Sequence, residues 1–198
     1  MSASRSSLSL TELLTQALHA LSAPPAADQG DTFARRFPRI AVAYSGGLDS
    51  SVLLHLAAAF ARTQGVQLLA FHIHHGLSAN ADDWQQTCRQ TCAALDVQFD
   101  TSNITLANRD QSGVEEAARL GRYHALGQLC RQHNVELLLT AHHLDDQAET
   151  VLLQMLRGSG VAGMSGMDQA NGAAELLGNA TLLLARPLLA ASRQQLED

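Results

Sequence analysis

The sequence contains no lysine: all 13 of its basic residues are arginine. Every chemistry that needs a lysine ε-amine is thereby excluded, including Schiff-base and pyridoxal catalysis and the Walker-type loop whose lysine holds phosphate. Aromatic residues are scarce, 4% of the chain with one Trp and two Tyr. They are too few for platforms that stack single-stranded bases. The three cysteines are odd in number and form no CxxC pair, so neither a disulfide framework nor a zinc knuckle is expected. Cys88 and Cys92, four apart in an expected helix, read as small buried residues. No apolar run of about 18 residues is present to span a bilayer, and MSASRSSLSL lacks the continuous apolar core of a secretion signal. A cytoplasmic setting without membrane partners is expected, and the Asn-x-Thr triplets at Asn103 and Asn179 read as chance. Positive charge is also short: 19 acidic residues give a net charge of −6, and Arg35, Arg36 and Arg39 are the one basic run. The chain as a whole is no electrostatic magnet for nucleic acid.

What is present is a core. With 198 residues, 46% apolar and 16% charged, the chain suits one domain with or without a short extension. Leu10, Leu13, Leu14, Ala17, Leu18 and Leu21 recur at helical spacing over residues 8–22, and Ser9 with Glu12 forms a capping box. SAPPAADQGD then reads as a linker, which makes residues 1–34 a helical extension and 35–198 the main domain. From Ile40 onward strands and helices alternate. Strands are expected at Ile40–Tyr44, Val66–Ile73, Val97–Phe99, Val135–Thr140 and Leu182–Ala185. Helices are expected at Ser50–Gln64 (ended by Gly65), Asp82–Leu95, from a capping box of Ser112 and Glu115 to about His133, at Asp145–Leu156, and from Ser192. This order predicts an α/β fold: a doubly wound, mostly parallel sheet with helices on both faces. The chain stops at Asp198 inside its last helix, and a further segment is expected to follow.

Ligands of such sheets bind beyond the carboxyl ends of the strands, and each chemically notable cluster falls at one of those ends. Ser45-Gly46-Gly47-Leu48-Asp49-Ser50-Ser51 lies directly between a strand and a helix. Its glycines permit close backbone approach, the helix start offers free N–H groups, and the serines add hydroxyls. It reads as a phosphate cradle without a lysine, against the plainer reading of a strand–helix turn capped by Asp49. A carboxylate beside polyphosphate requires a cation between them, so Asp49 is expected to help hold Mg²⁺. Phe71-His72-Ile73-His74-His75 ends the second strand, and Ala141-His142-His143-Leu144-Asp145-Asp146-Gln147-Ala148-Glu149 follows the fourth. Together they also admit a dinuclear metal hydrolase, although Asp145, Asp146 and Glu149 equally suit the first turn of any helix. Arg119 and Arg122 share a helix face, with Glu115–Arg119 available as an ordinary i,i+4 pair. Gly158-Ser159-Gly160-Val161-Ala162-Gly163 matches GxGxxG but follows a helix instead of a strand, so it reads as a mobile loop or lid.

SGGLDSS after a buried strand resembles the PP-loop of the N-type ATP-pyrophosphatase superfamily, whose members cleave ATP between the α- and β-phosphates and adenylate a substrate. Further blocks are HIHHGL, EEAARLGRYHAL, LLTAHHLDDQAETVLLQMLRGSGVAGMSGM and ARPLL, running in order over about residues 38–198. They are similar to the N-terminal domain of the tRNA(Ile)-lysidine synthetase family. The resemblance implies an adenine nucleotide α-hydrolase-like fold and a two-step ligation using ATP and Mg²⁺. In the first step the wobble cytidine of tRNA(Ile), in a CAU anticodon, attacks the α-phosphate through its ring carbonyl oxygen, and pyrophosphate leaves. The ε-amine of free L-lysine then displaces AMP.

Carried onto this sequence, the resemblance has Ser45, Gly46, Gly47, Ser50 and Ser51 hold the pyrophosphate and Asp49 its Mg²⁺. Adenine would lie at His72 and Ile73. Asp146 and Glu149 would take the amines of lysine, either of them assisting deprotonation. Arg119 or Arg122 would contact carboxylate or phosphate, and His142 and His143 would line the site. A C-terminal tRNA-binding region is not within these residues, and a homodimer is compatible with the family. Two alternatives stand beside this one. A tRNA thiolation enzyme of the same superfamily typically carries SGGKDS and a cysteine pair, where this chain has Leu48 and differently spaced cysteines. The other is a truncated nucleotide-binding module without turnover. Argininosuccinate- or GMP-synthetase relatives would share the loop alone.

Overall fold

Successive residues of the first strand point to opposite sides. Ile40 and Val42 bury in one apolar cluster, and Ala41 in a second. That alternation builds a sheet with a core on each face. The computed structural model describes residues 8–22, 32–74, 81–104, 114–156, 158 and 165–198. Six strands, β1 (Arg39–Ala43), β2 (Gln67–His74), β3 (Gln98–Asn103), β4 (Leu137–Leu139), β5 (Ala170–Gly172) and β6 (Leu183–Ala185), form one sheet in the order β3-β2-β1-β4-β6-β5. All neighbours are parallel except β5, which runs antiparallel to β6. The doubly wound, mostly parallel α/β expectation holds.

Helices α1 (Leu10–Ser22), α2 (Thr32–Arg36), α3 (Leu48–Gln64), α4 (Ala81–Ala94) and α8 (Arg193–Glu197) contribute side chains to the first cluster. α5 (Val114–Gln132) and α7 (Ala174–Leu177) contribute to the second, while α6 (Leu144–Leu156) has no buried residue. Leu14 and Leu18 of α1 pack in the same cluster as Phe33, Phe37, Phe60 and Ile40. The Ser9–Glu12 box forms, with Ser9 N–H donating to Glu12 Oε2 at 2.8 Å and Glu12 N–H to Ser9 Oγ at 3.3 Å. Gly65 ends α3 in the left-handed region, its N–H bonded to the Ala61 carbonyl. The linker over 23–31 and Ser112 lie outside the described residues.

Four features differ from expectation. β3 runs on through the polar residues Asp100–Asn103 because it is an edge strand paired with β2 on one side only. β4 is shorter than expected, three fully buried leucines. The expected pattern contained neither α2 nor the β5–α7 pair. β5 reads Ala-Asn-Gly, without strand propensity, and exists because β6 offers it a ladder. Cys88 and Cys92 are buried in the first cluster, as expected, and Cys130 is buried in the second. Burial pushes the Cys92 and Cys130 thiols up to about 12. Among the described residues no helix is long and apolar enough to cross a membrane.

From β1 the chain winds outward through β2 and β3, then returns to the opposite side of β1 with β4. The crevice between the carboxyl ends of β1 and β4 is thus the topological switch point, where doubly wound sheets bind ligands. The loop at 45–47 and the segment at 140–143 both open into it.

Candidate functional site

A cleft of about 1030 Å³ lies at this switch point. Of the residues singled out in the sequence, Ser45, Gly47, Asp49, Ser50, His72, Ile73, Arg119, Arg122, His142, Asp146 and Glu149 line it. Residues from β2, α3, α5 and α6 and from the segments that follow β1 and β4, distant in sequence, are brought together by sheet order.

The loop after β1 is built for close approach. Gly46 adopts φ +83°, and a Cβ there would sit 2.5 Å from Trp84 Nε1 and 2.6 Å from Cys88 Sγ. Trp84, from α4, donates its indole N–H to the Ser45 carbonyl at 2.8 Å and so clamps the loop from outside. Ser45 Oγ and Ser50 Oγ are 3.0 Å apart, and Ser50 and Ser51 hydroxyls donate to the Gly47 carbonyl at 3.0 and 2.9 Å. α3 begins with Gly47 as its N-cap and no side-chain cap, so its first amides and positive dipole end remain for a ligand.

Asp49 is not the helix cap. It stands in the first turn of α3, with Oδ1 buried and without a hydrogen-bond partner. Oδ2 lies 3.9 Å from His143 Nε2. An orphaned carboxylate oxygen beside an uncapped helix start fits a divalent cation, which takes one or two carboxylates and otherwise phosphate and water oxygens.

His143 sits beneath the cleft instead of lining it, and is 4% exposed. Its Nδ1 accepts the Asp145 N–H at 3.2 Å, which leaves the proton on Nε2, 3.5 Å from Asp146 Oδ2. Asp146 Oδ2 in turn accepts the His143 backbone N–H at 2.8 Å. This reciprocal capping starts α6 and aims the imidazole N–H between Asp49 and Asp146, acids in the first turns of α3 and α6. His143 thus stands between two carboxylates, Asp49 and Asp146, instead of facing the cleft. Gly46 and Ser51 likewise shape the loop without lining the cleft.

On the β2 side, His72 Nδ1 donates to the Tyr44 carbonyl at 2.9 Å, and the ring stacks on Phe99. His74 Nε2 is 3.1 Å from Asp82 Oδ1, outside hydrogen-bond geometry. Among the described residues, no three His, Cys, Asp or Glu side chains are grouped to hold a metal ion. His75, and the glycine-rich loop apart from Gly158, lie outside the described residues, as does the Glu115 side chain. Sequence reasoning missed Trp84, Thr140, Tyr123 and Arg186, all of which line the cleft. Of these, Tyr123, Thr140 and Arg186 lie inside the motif blocks quoted above, the last two at strand ends, and only Trp84 carried no signal.

Burial holds His72 below the ordinary imidazole range, against the raising effect of its bond to Tyr44. Burial, then the charge of Arg186, does the same to His142, whose Nδ1 lies 3.0 Å from Thr140 Oγ1. The unfolded chain takes up these protons near 6.5, whereas the folded chain resists them to lower pH. Stability is thus unaffected by these two groups above about pH 6.5 and falls below it, toward their depressed folded values. Melting temperature followed from pH 7.5 to 5 is expected to drop below that point, and His72→Asn with His142→Asn to flatten the drop. A wild-type profile level through this range would remove the assignment.

The family model described as a PP-loop domain matches residues 13–198. The chain belongs to the PP-loop domain family. The matched region includes the Ser45–Ser51 segment and most of α1. Among curated proteins, the tRNA(Ile)-lysidine synthase of Ralstonia nicotianae is 52% identical over 135 residues, covering 67% of this chain and 29% of that protein. That of Burkholderia mallei is 47% identical over 158 residues, covering 80% of this chain and 31% of that protein. The chain thus spans under a third of those relatives' length. Among solved structures, the U34-tRNA thiolase NcsA of Methanococcus maripaludis superposes with a TM-score of 0.71 at 14% identity, covering 95% of this chain and 61% of that one. A glutamine-dependent NAD⁺ synthetase of Acinetobacter baumannii gives a TM-score of 0.56 at 13% identity, covering 99% of this chain and 33% of that one. Both share the PP-loop fold.

Proposed function

We propose that this chain is the ATP-using catalytic part, residues 35–198 preceded by a 1–34 extension whose helix α1 packs against it, of an enzyme that ligates L-lysine to the wobble cytidine of tRNA(Ile). The observation that carries the reading is the pairing across one cleft of two features. One is an uncapped PP-loop helix whose Asp49 Oδ1 has no hydrogen-bond partner; the other is the Asp146–Glu149 face of α6. The first suits ATP with Mg²⁺, the second a cationic amino acid. Identity with tRNA(Ile)-lysidine synthases over most of the chain supports the choice of substrates.

In this reading Ser45, Gly46, Gly47, Ser50 and Ser51 hold the β- and γ-phosphates, and His72 and Ile73 face adenine. Asp49 would hold Mg²⁺, which supplies charge neutralisation of the pyrophosphate. Attack by the cytidine carbonyl oxygen on the α-phosphorus breaks the bond to the β-phosphate bridging oxygen, giving an adenylated tRNA. Asp146 and Glu149 bind the amines of lysine, and a carboxylate takes the proton as the ε-nitrogen attacks the activated ring carbon and AMP departs. Arg119 or Arg122 contacts carboxylate or phosphate. The tRNA(Ile) with its CAU anticodon and free L-lysine are the partners, and the setting is the cytoplasm. The buried thiols, divided between two clusters, do not suit a sulfur-transfer or iron–sulfur role.

The test is exchange of labelled pyrophosphate into ATP by the full chain. Exchange that requires both tRNA(Ile) and Mg²⁺ is expected. ATP binding with no exchange would favour a passive nucleotide module instead. Glu149→Gln is expected to weaken lysine use by at least about tenfold while ATP binding stays within about twofold, since one charge-assisted contact is lost. Equal loss of both would reassign Glu149 to the nucleotide or to the fold.

A further inference from the structure

Among the described residues Arg186 is the only buried arginine. It directly follows β6, at the carboxyl edge of the sheet, and lines the cleft. Its Nη1 donates twice, to the Asp168 carbonyl and to Asn171 Oδ1, both at 2.8 Å. Both acceptors are uncharged. Among the described residues Nε is buried without a partner, Nη2 makes no hydrogen bond, and no ion pair includes this guanidinium. The Asp168 carboxylate acts on the guanidinium only at longer range, outside ion-pair distance; a buried cation whose hydrogen-bond partners are neutral is costly, and the cost is offset when an anion arrives. The two unused groups are also a matched pair: Nε–H and Nη2–H form one edge of the planar fork, spaced for the two oxygens of a carboxylate or phosphate. Nη1, anchored to the β5 strand and the turn before it, fixes the plane of that fork.

We propose that the Nε–Nη2 edge of Arg186 binds the α-carboxylate of the amino-acid substrate. The inference rests on the lysine-ligating reading above and adds the group that recognises the end of lysine remote from the reaction. Sheet order favours a carboxylate over a phosphate. The PP-loop follows β1, the acids of α6 follow β4, and Arg186 follows β6. At about 4.8 Å per strand, Arg186 stands roughly 10 Å across the sheet from the phosphate cradle. An amino acid anchored there passes its side chain over the end of β4, beside Asp146 and Glu149, and presents its ε-amine toward the nucleotide. The phosphates already have the α3 amides.

Calorimetric titration of the full chain with L-lysine, cadaverine (the same diamine without the carboxylate) and ATP–Mg²⁺ tests this. The wild type is expected to bind lysine more tightly than cadaverine. Arg186→Gln should weaken lysine by at least about tenfold and leave cadaverine and ATP within about twofold, and Arg186→Lys, a point charge without the fork, should fall between. Where Arg186→Gln fails to fold, Arg186→Lys carries the comparison, with a lysine-specific loss of about fivefold expected. Weakened ATP with unchanged lysine would assign the fork to phosphate and overturn the proposal. So would parallel loss of all three ligands, unchanged lysine binding in the variants, or a wild type that binds lysine and cadaverine equally. A wild type that binds ATP but no lysine would overturn the lysine-ligating reading and this inference with it, a result distinct from any produced by the variants alone.

Discussion

Asp49→Ala is expected to reduce tRNA-dependent ATP–pyrophosphate exchange by at least about a hundredfold, the scale of losing one preorganised electrostatic contact to the reacting phosphates. The fold should survive. Oδ1 is buried without a partner and Oδ2 stands 3.9 Å from His143 Nε2, so the carboxylate contributes little to stability on its own. Removing an unsatisfied buried acceptor relieves a desolvation penalty, and the melting temperature is expected to hold or rise. Nucleotide affinity should change in a direction that separates a metal ligand from a structural acid. Without Mg²⁺ the wild-type carboxylate repels polyphosphate, so the variant should bind metal-free ATP more tightly than the wild type and lose most of the Mg²⁺ dependence. Trp84 supplies the readout: it is the chain's single tryptophan, hydrogen-bonded to the Ser45 carbonyl, and its fluorescence reports occupancy of the loop. Exchange at the wild-type rate, or unchanged Mg²⁺ dependence of ATP binding, would strip Asp49 of this role.

Gly127→Ala should destabilise the protein by about 2–4 kcal/mol, a melting-temperature drop of roughly 5–15 °C. Gly127 lies in α5, and a Cβ there would fall 1.8 Å from the Leu177 carbonyl oxygen and 2.8 Å from its carbon. The obstacle is backbone, so no rotamer relieves it. α7 would have to leave α5, although Leu177 is fully buried and Arg131 of α5 donates to the Gly178 carbonyl at 2.5 Å. Alanine's better helix propensity returns at most about 1 kcal/mol. A melting temperature raised by the substitution would mean that α7 yields freely. The strain would also reach the cleft, because α7 follows β5, whose Asn171 anchors Arg186.

Much of the fold is legible in the sequence. The strand-loop-helix at β1, Gly65 as a stop, the Ser9–Glu12 box and the burial of Cys88 and Cys92 all follow from local chemistry. What stayed hidden was held by partners remote in sequence. Ala170–Gly172 has no strand signal and becomes a strand by pairing with β6. The PP-loop's outer clamp, Trp84, lies 39 residues from Ser45 and its pattern says only "helix". His143 reads as one more site histidine, and the fold buries it between two carboxylates.

The sequence by itself determined which chemistry this protein can carry. A phosphate cradle without lysine, acids at helical spacing, and their positions at strand ends are properties of residue type and local periodicity, and these survive in any arrangement of the chain. Only the tertiary structure decided which of those residues share a cleft and in what electrical state. Sheet order sets β1, β4 and β6 side by side. Burial, a long-range quantity, leaves Asp49 Oδ1 and Arg186 Nε without partners and lowers the basicity of His72 and His142.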